Sequence, residues 1–318
     1  MPTLSFAKPL GFRLAAAAEF YAGFTPGSAM AAAAGDDLTL AFCLDATFAP
    51  VAVALREEAD TIVADYAGTA EPAILREQLA RILGLEVDGS AWREVGERDP
   101  VVGGLQRTFA GFFTAAKASP YDAATWAVLA PRMPIQRAAD VKRAIARTHG
   151  TIVTLNGCTH HVFPAPAQLA TLEACDGLSA EKVTRLRGVA EAALRGQLDA
   201  ELLRALGEQR ALAELQELRG VGPWAASHIY YRGAAPLDAL PLAEPRVLHG
   251  LALAYGLDAP SETTYARIAE AWRPFRMWIA ILLMRNLART DRWHAPELGR
   301  ERAAAGRRLT RRPARVSR

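Results

Sequence analysis

Leu218-Arg219-Gly220-Val221-Gly222-Pro223-Trp224-Ala225-Ala226 is the most informative stretch of the chain. The spacing of apolar residues predicts one helix before it, over 210–218, and another after it, over 224–232. Two glycines one residue apart let the backbone turn tightly through left-handed dihedrals, and Pro223 suits the first turn of the second helix. Such a hairpin presents consecutive amide groups at a helix start, which favours an anion such as a DNA phosphate. By themselves these residues fit an ordinary helix–helix turn equally well, so their surroundings have to decide.

On both sides of the hairpin the helical spacing continues. After about Pro100, Gly, Pro and Asp punctuate predicted helices over 121–130, 135–148, 167–173, 179–196, 199–206, 210–218, 224–232, 245–256, 263–272 and 275–287, with few convincing strands. Ser179 followed by Val183, Leu186, Val189, Ala190 and Ala193 reads as a Ser-capped amphipathic helix. Residues 106–290 are therefore expected to form an all-α domain. Earlier in the chain the pattern is mixed. The 37–44 stretch alternates loosely, 61–66 is short, β-branched and followed by Gly68, and 71–83 places Ile74, Leu75, Leu79, Ile82 and Leu83 on one helical side. Residues 1–105 are expected to form a small α+β domain with an antiparallel sheet.

With 318 residues, 51% of them hydrophobic, the chain can bury more than one core, which excludes a disordered or fibrous protein. The long apolar stretch near the N-terminus is broken by Arg13 and Glu19, and no later run reaches about 18 uncharged apolar residues. No membrane partner is expected, and a soluble, cytoplasmic protein is. The net charge of +3 is unevenly spread: eight arginines and one acid between Leu298 and Arg318 carry +7, which leaves −4 for the rest. Residues 291–318 read as a basic, disordered tail able to touch phosphates nonspecifically. Only Lys8, Lys117, Lys142 and Lys182 are lysines, so chemistry that needs an amine has few candidates. Cys43, Cys158 and Cys175 are odd in number and far apart, and adjacent His160 and His161 point different ways, so neither a disulfide framework nor a metal cluster is expected.

The hairpin and its neighbours resemble the helix-hairpin-helix DNA glycosylases, in particular the 3-methyladenine glycosylase II, or AlkA-like, branch. Leu-x-Gly-Val-Gly-x-Trp-x-Ala is the hairpin of that family; Pro164-x-Pro166-x-x-Leu169 with Gly177-Leu178-Ser179-x-x-Lys182 is similar to its preceding passage. Arg232-Gly233 stands where the second hairpin helix ends, and Trp272-Arg273-Pro274-Phe275-Arg276-x-Trp278 is similar to a late signature of the family. The resemblance implies a monofunctional enzyme of base excision repair, a nucleoid-associated monomer. It would grip double-stranded DNA through Gly220, Val221, Gly222 and Pro223, flip out an alkylated base and hydrolyse its N-glycosidic bond. Trp224 and Trp272 would wall the base pocket, since electron-rich rings attract cationic alkylated bases. No cofactor is implied beyond a structural monovalent cation on the carbonyls of Gly220 and Gly222.

Three departures sharpen these expectations. The family's catalytic aspartate is replaced by Glu244, before Pro245 at a predicted helix start, where an ionised carboxylate is favoured. The charge is kept and one methylene is added, so a catalytically impaired paralogue that binds damaged DNA without excision is the alternative. Asp238, six residues earlier, is read as structural. In Pro131-Arg132-Met133-Pro134 the usual glutamine and wedge residue are absent, and Arg132 takes the wedge position, able to stack on bases. Bifunctional relatives carry a Schiff-base lysine in the hairpin; here the hairpin has Pro223 and no lysine follows Lys182, so no β-lyase activity is expected.

Overall fold

A computed structural model describes residues 1–23, 30–34, 37–113, 116–242, 244–258 and 261–292. All but the first two residues of the expected basic tail lie outside the described residues, as does the run of eight arginines. The chain opens with β1 (Thr3–Ala7), α1 (Leu14–Gly23), β2 (Ala31–Ala34), β3 (Asp37–Cys43), β4 (Pro50–Glu57) and β5 (Thr61–Gly68). The five strands form one antiparallel sheet in the order β1-β5-β4-β3-β2, with Phe6 opposite Ile62 and Leu40 opposite Val53. Strand alternation buries Leu4 and Phe6 and leaves Thr3 and Ser5 outside. Helix α2 (Pro72–Leu83) closes that core, and Arg76 lies 4.9 Å over the Phe6 ring while donating to the Ser5 carbonyl at 2.8 Å.

The helical part follows as α3 (Gly89–Arg98), α4 (Pro100–Thr108), α5 (Pro120–Leu129), α6 (Ile135–His149), α7 (Pro166–Leu169), α8 (Ala180–Leu194), α9 (Ala200–Leu206), α10 (Glu208–Gln216) and α11 (Pro223–His228). Helix α11 runs directly into a π-helical turn, Ile229–Ala234, before α12 (Pro245–Tyr255), α13 (Glu262–Ala269), a 3₁₀ turn over Glu270–Trp272 and α14 (Arg276–Arg289). Ser179 caps α8 as expected, its Oγ accepting the Lys182 N–H at 3.3 Å. None of the helices among the described residues is long and apolar enough to cross a membrane.

Three expectations about organisation change. The boundary after residue 105 falls inside α4, because α3 and α4 pack on the C-terminal helices. Trp92 stands edge-on to Phe275 and Trp278 at 5.3 Å, and Arg98 Nε donates to the Ala271 carbonyl at 2.8 Å. Two strands lie within the helical half: β6 (Thr151–Leu155) and β7 (Cys158–Val162) join through Asn156-Gly157, whose positive φ values of 51° and 75° suit a tight hairpin turn. Val153, Leu155 and Val162 of this hairpin pack against Cys43 and Ala52 of the large sheet. The helix expected over 167–173 is the single turn α7, after which Leu172 N–H bonds back only three residues, to Leu169 O at 3.2 Å.

Candidate active site

Helices α10 and α11 meet through residues 217–222, where Val221 N–H closes the turn on Leu218 O at 2.9 Å. The two glycines of this turn differ in kind. Gly220 has φ +86°, and a Cβ there would meet Arg185 Cδ at 3.0 Å. Gly222 is extended, φ −87° and ψ −179°, with nothing within 4 Å of where a Cβ would be. Gly220→Ala is expected to cost roughly 1–2 kcal/mol of stability through backbone strain. Gly222→Ala is expected to change stability by less than about 0.5 kcal/mol. Urea unfolding of both variants checks the contrast. Any loss of DNA affinity in Gly222→Ala then measures close approach of a ligand to this backbone, not unfolding.

Trp224 begins α11 with 42% of its surface exposed, and its ring stacks on His228 at 5.4 Å and 18°. His228 turns Nε2 into the interior, where the atom is buried and meets no hydrogen-bond partner among the described residues. Burial, then the charges of Lys117 and Arg232, push its imidazole well below the usual histidine range, so the ring is neutral at pH 7. Burial likewise pulls the Arg232 guanidinium down to about 10, with Arg246 adding repulsion. Arg232 thus acts by charge on both His228 and Arg246, the latter at the start of α12.

There Glu244 is the N-cap of α12, in extended conformation, with Pro245 at the first helical position. Its Oε1 accepts the Arg246 backbone N–H at 3.2 Å and Arg246 Nε at 2.6 Å, and its Oε2 accepts a terminal guanidinium nitrogen of Arg246 at 2.9 Å. The carboxylate is thus folded back over its own helix start into a two-point ion pair, with 19% of the Glu244 side chain and 29% of the Arg246 side chain exposed.

A second charged cluster, read from no motif, lies behind His228. Asp122, near the start of α5, is ion-paired with Lys142 of α6 and stands 3.6 Å from Lys117 Nζ; both lysines are almost wholly buried. Lys117 also sits 5.2 Å over Trp126, and Lys142 5.4 Å over Phe163. Burial depresses the Lys117 amine to about 7 despite the opposing pull of Asp122. Burial pushes the Asp122 carboxyl up, but Lys142 and then Lys117 outweigh it and hold the group below the usual range. A cavity of about 20 Å³, the size of one water molecule, is bounded by Cys43, Tyr121, Asp122, Lys142 and Phe163. The scarcity of lysine was the one trace of this cluster in the sequence: two of the four are spent inside.

Other expected site residues fall elsewhere. Trp272 is fully buried, its Nε1 donating to Asp99 Oδ2 at 3.2 Å and to the Tyr255 hydroxyl at 3.1 Å, with Tyr265 5.8 Å away. Its indole anchors α4 to the C-terminal helices, as its large apolar area and single donor suit. Arg132 is exposed on the loop between α5 and α6 with φ +60°, and Lys182 Nζ fastens that loop through the carbonyls of Leu129 at 2.6 Å and Pro131 at 2.9 Å. Asp238 is structural, held by Arg276 Nε at 2.6 Å and by Arg273. Among the described residues no group of three or more His, Cys, Asp or Glu is placed to hold a metal ion; His160 and His161 line an open cleft of about 190 Å³ with Arg143 and Arg147.

Known proteins carry the same plan. No family model matches the chain. It is 23% identical over 208 residues to the DNA-3-methyladenine glycosylase of Bacillus subtilis strain 168, spanning 64% of this chain and 69% of that one. It is 30% identical over 204 residues to a probable bifunctional transcriptional activator/DNA repair enzyme AlkA of Mycobacterium tuberculosis, covering 62% of this chain and only 40% of that longer protein. In three dimensions it matches the 3-methyladenine DNA-glycosylase from Archaeoglobus fulgidus with TM-score 0.69 over 89% of this chain and 97% of that one, at 22% identity. In sequence the chain is thus similar to proteins named DNA-3-methyladenine glycosylase and AlkA, and in fold to the Archaeoglobus fulgidus glycosylase.

Proposed function

We propose that the protein is a monofunctional DNA glycosylase that flips an alkylated base out of duplex DNA and hydrolyses its N-glycosidic bond. The observation that carries this reading is Glu244, a partly exposed carboxylate at the start of α12. Relatives whose names specify 3-methyladenine removal support the choice of alkylated bases. In this reading the Gly220–Pro223 turn packs its backbone against a phosphate, Arg132 fills the gap left by the flipped nucleotide, and the Trp224–His228 stack meets the cationic base. As the base departs, positive charge grows on the sugar, and Glu244 stabilises it while water attacks. In this reading the carbonyls of Gly220 and Gly222 would hold a structural monovalent cation; that of Gly222 accepts the Ala226 N–H at 2.9 Å and keeps a second lone pair. Lyase chemistry has no place in this reading. Lys117 and Lys142 are buried against Asp122, and Lys182 is committed to two loop carbonyls.

A second reading, a DNA-binding paralogue with impaired excision, is favoured by one observation. The guanidinium of Arg246 occupies both oxygens of the carboxylate that the reaction needs. Duplexes containing 3-methyladenine, 7-methylguanine, hypoxanthine or ethenoadenine separate the two. The glycosylase reading expects abasic sites from at least one of them, with strands left unnicked; binding to all four with release from none would establish the paralogue instead.

A further inference from the structure

We propose that Arg246 holds Glu244 in reserve and releases it when DNA binds, its guanidinium passing from the carboxylate to a phosphate beside the nucleotide being excised. The proposal rests on Glu244 being the carboxylate of the reaction. Its ground is the two-point pair at the start of α12, where Arg246 gives Nε at 2.6 Å to Oε1 and a terminal nitrogen at 2.9 Å to Oε2. Both side chains keep part of their surface in solvent, so the pair can open without dismantling the core. A cation developing on the sugar and a guanidinium cannot lie against the same two oxygens. The sugar that reaches Glu244 brings its own phosphates, one on either side, within the reach of a single arginine. A phosphate offers the guanidinium the same forked acceptor as a carboxylate. Arg232, buried and near enough to repel the Arg246 guanidinium, adds positive potential that favours an arriving anion. The exchange therefore keeps every charge paired: one guanidinium–carboxylate contact becomes a guanidinium–phosphate contact, and the bare carboxylate faces the sugar. Without DNA the carboxylate stays masked. Arg246 is a positioning residue here, acting on the reaction through Glu244.

The test compares Arg246→Gln and Glu244→Gln with the parent protein on a duplex carrying an abasic site and on a duplex whose base is released. Binding needs no turnover. Arg246→Gln is expected to lower the slope of log affinity against log salt by about one, as for one lost phosphate contact, and to weaken binding about tenfold. In excision it is expected to raise KM by about the same factor and keep kcat within about threefold, whereas Glu244→Gln loses kcat. An unchanged salt slope overturns the exchange, because the guanidinium then never meets a phosphate. A kcat that falls as far as in Glu244→Gln also overturns it, since Arg246 would then be needed on the carboxylate throughout. If Glu244→Gln excises at the parent rate, the reading of Glu244 fails and the reserve role with it; the slope of Arg246→Gln still reports separately whether the arginine contacts DNA.

Discussion

Asp122→Asn is expected to destabilise the fold by about 3–5 kcal/mol, the cost of removing one partner from a buried charge cluster. Two lysines, each almost wholly buried, converge on this carboxylate: Lys142 as its ion-pair partner and Lys117 at 3.6 Å. An amide keeps the shape and takes away the charge that lets both amines remain inside. The loss shows as a lower urea midpoint with an unchanged slope, and it exceeds the cost of Asp238→Asn, whose pairs with Arg273 and Arg276 are more open to water. A cost below about 1 kcal/mol for Asp122→Asn would mean that the interior is wetter than its packing suggests.

The same cluster sets a pH dependence whose sign follows from Lys117. Its amine titrates near 7 in the folded protein and near 10.4 when unfolded, so between those values the unfolded chain binds more protons. Stability should therefore rise with pH from about 7 towards 10, with the penalty fully present below 7. Lys117→Met removes the titrating group and is expected to flatten that rise while leaving stability at pH 7 equal or higher. Asp122 acts in the opposite window: its depressed carboxyl contributes stability above the unfolded value near 3.9, which is lost as pH falls through the lower folded value.

What the sequence disclosed follows from range. The Gly220–Pro223 turn, the Ser179 cap and the alternation that makes β3 and β5 are written in adjacent residues and appear where expected, except that only Gly220 of the two hairpin glycines takes the left-handed dihedral expected of both. The β6–β7 hairpin was equally local, since Asn156-Gly157 is a strong turn signal, but helical neighbours on both sides hid it. Lys117, Asp122, Lys142 and His228 come from segments up to 111 positions apart, and no spacing rule joins them. For Trp272 the motif position identified a residue without its facing; the 3₁₀ turn over Glu270–Trp272 points the indole at Asp99. The Glu244–Arg246 pair escaped for a subtler reason. Residues two apart do not meet on a helix, but Glu244 is the cap, with φ −93° and ψ 103°, and from that extended backbone its longer side chain folds back onto residue 246.

That pair governs the other large effect, because Glu244→Gln is expected to slow base release by about 10²–10³-fold while leaving the fold intact. At an effective dielectric of about 20, a carboxylate about 4 Å from a full positive charge contributes about 4 kcal/mol, or roughly three powers of ten in rate. A guanidinium left on that carboxylate, roughly 6 Å from the sugar, takes back about 3 kcal/mol on the same scale. Excision at a useful rate therefore requires the ion pair to open, and the two readings of the protein differ in whether DNA opens it. Glu244→Asp discriminates between them. The shorter carboxylate can still cap α12 but reaches less far over its own helix start, which weakens the two-point pair with Arg246. If Arg246 leaves on DNA binding, Glu244→Asp is expected to lose up to about a hundredfold against the parent, the change reflecting only the altered reach. If Arg246 never leaves, the parent releases almost no base and Glu244→Asp gains about a hundredfold, a rise that single-turnover release from a 7-methylguanine duplex would detect directly.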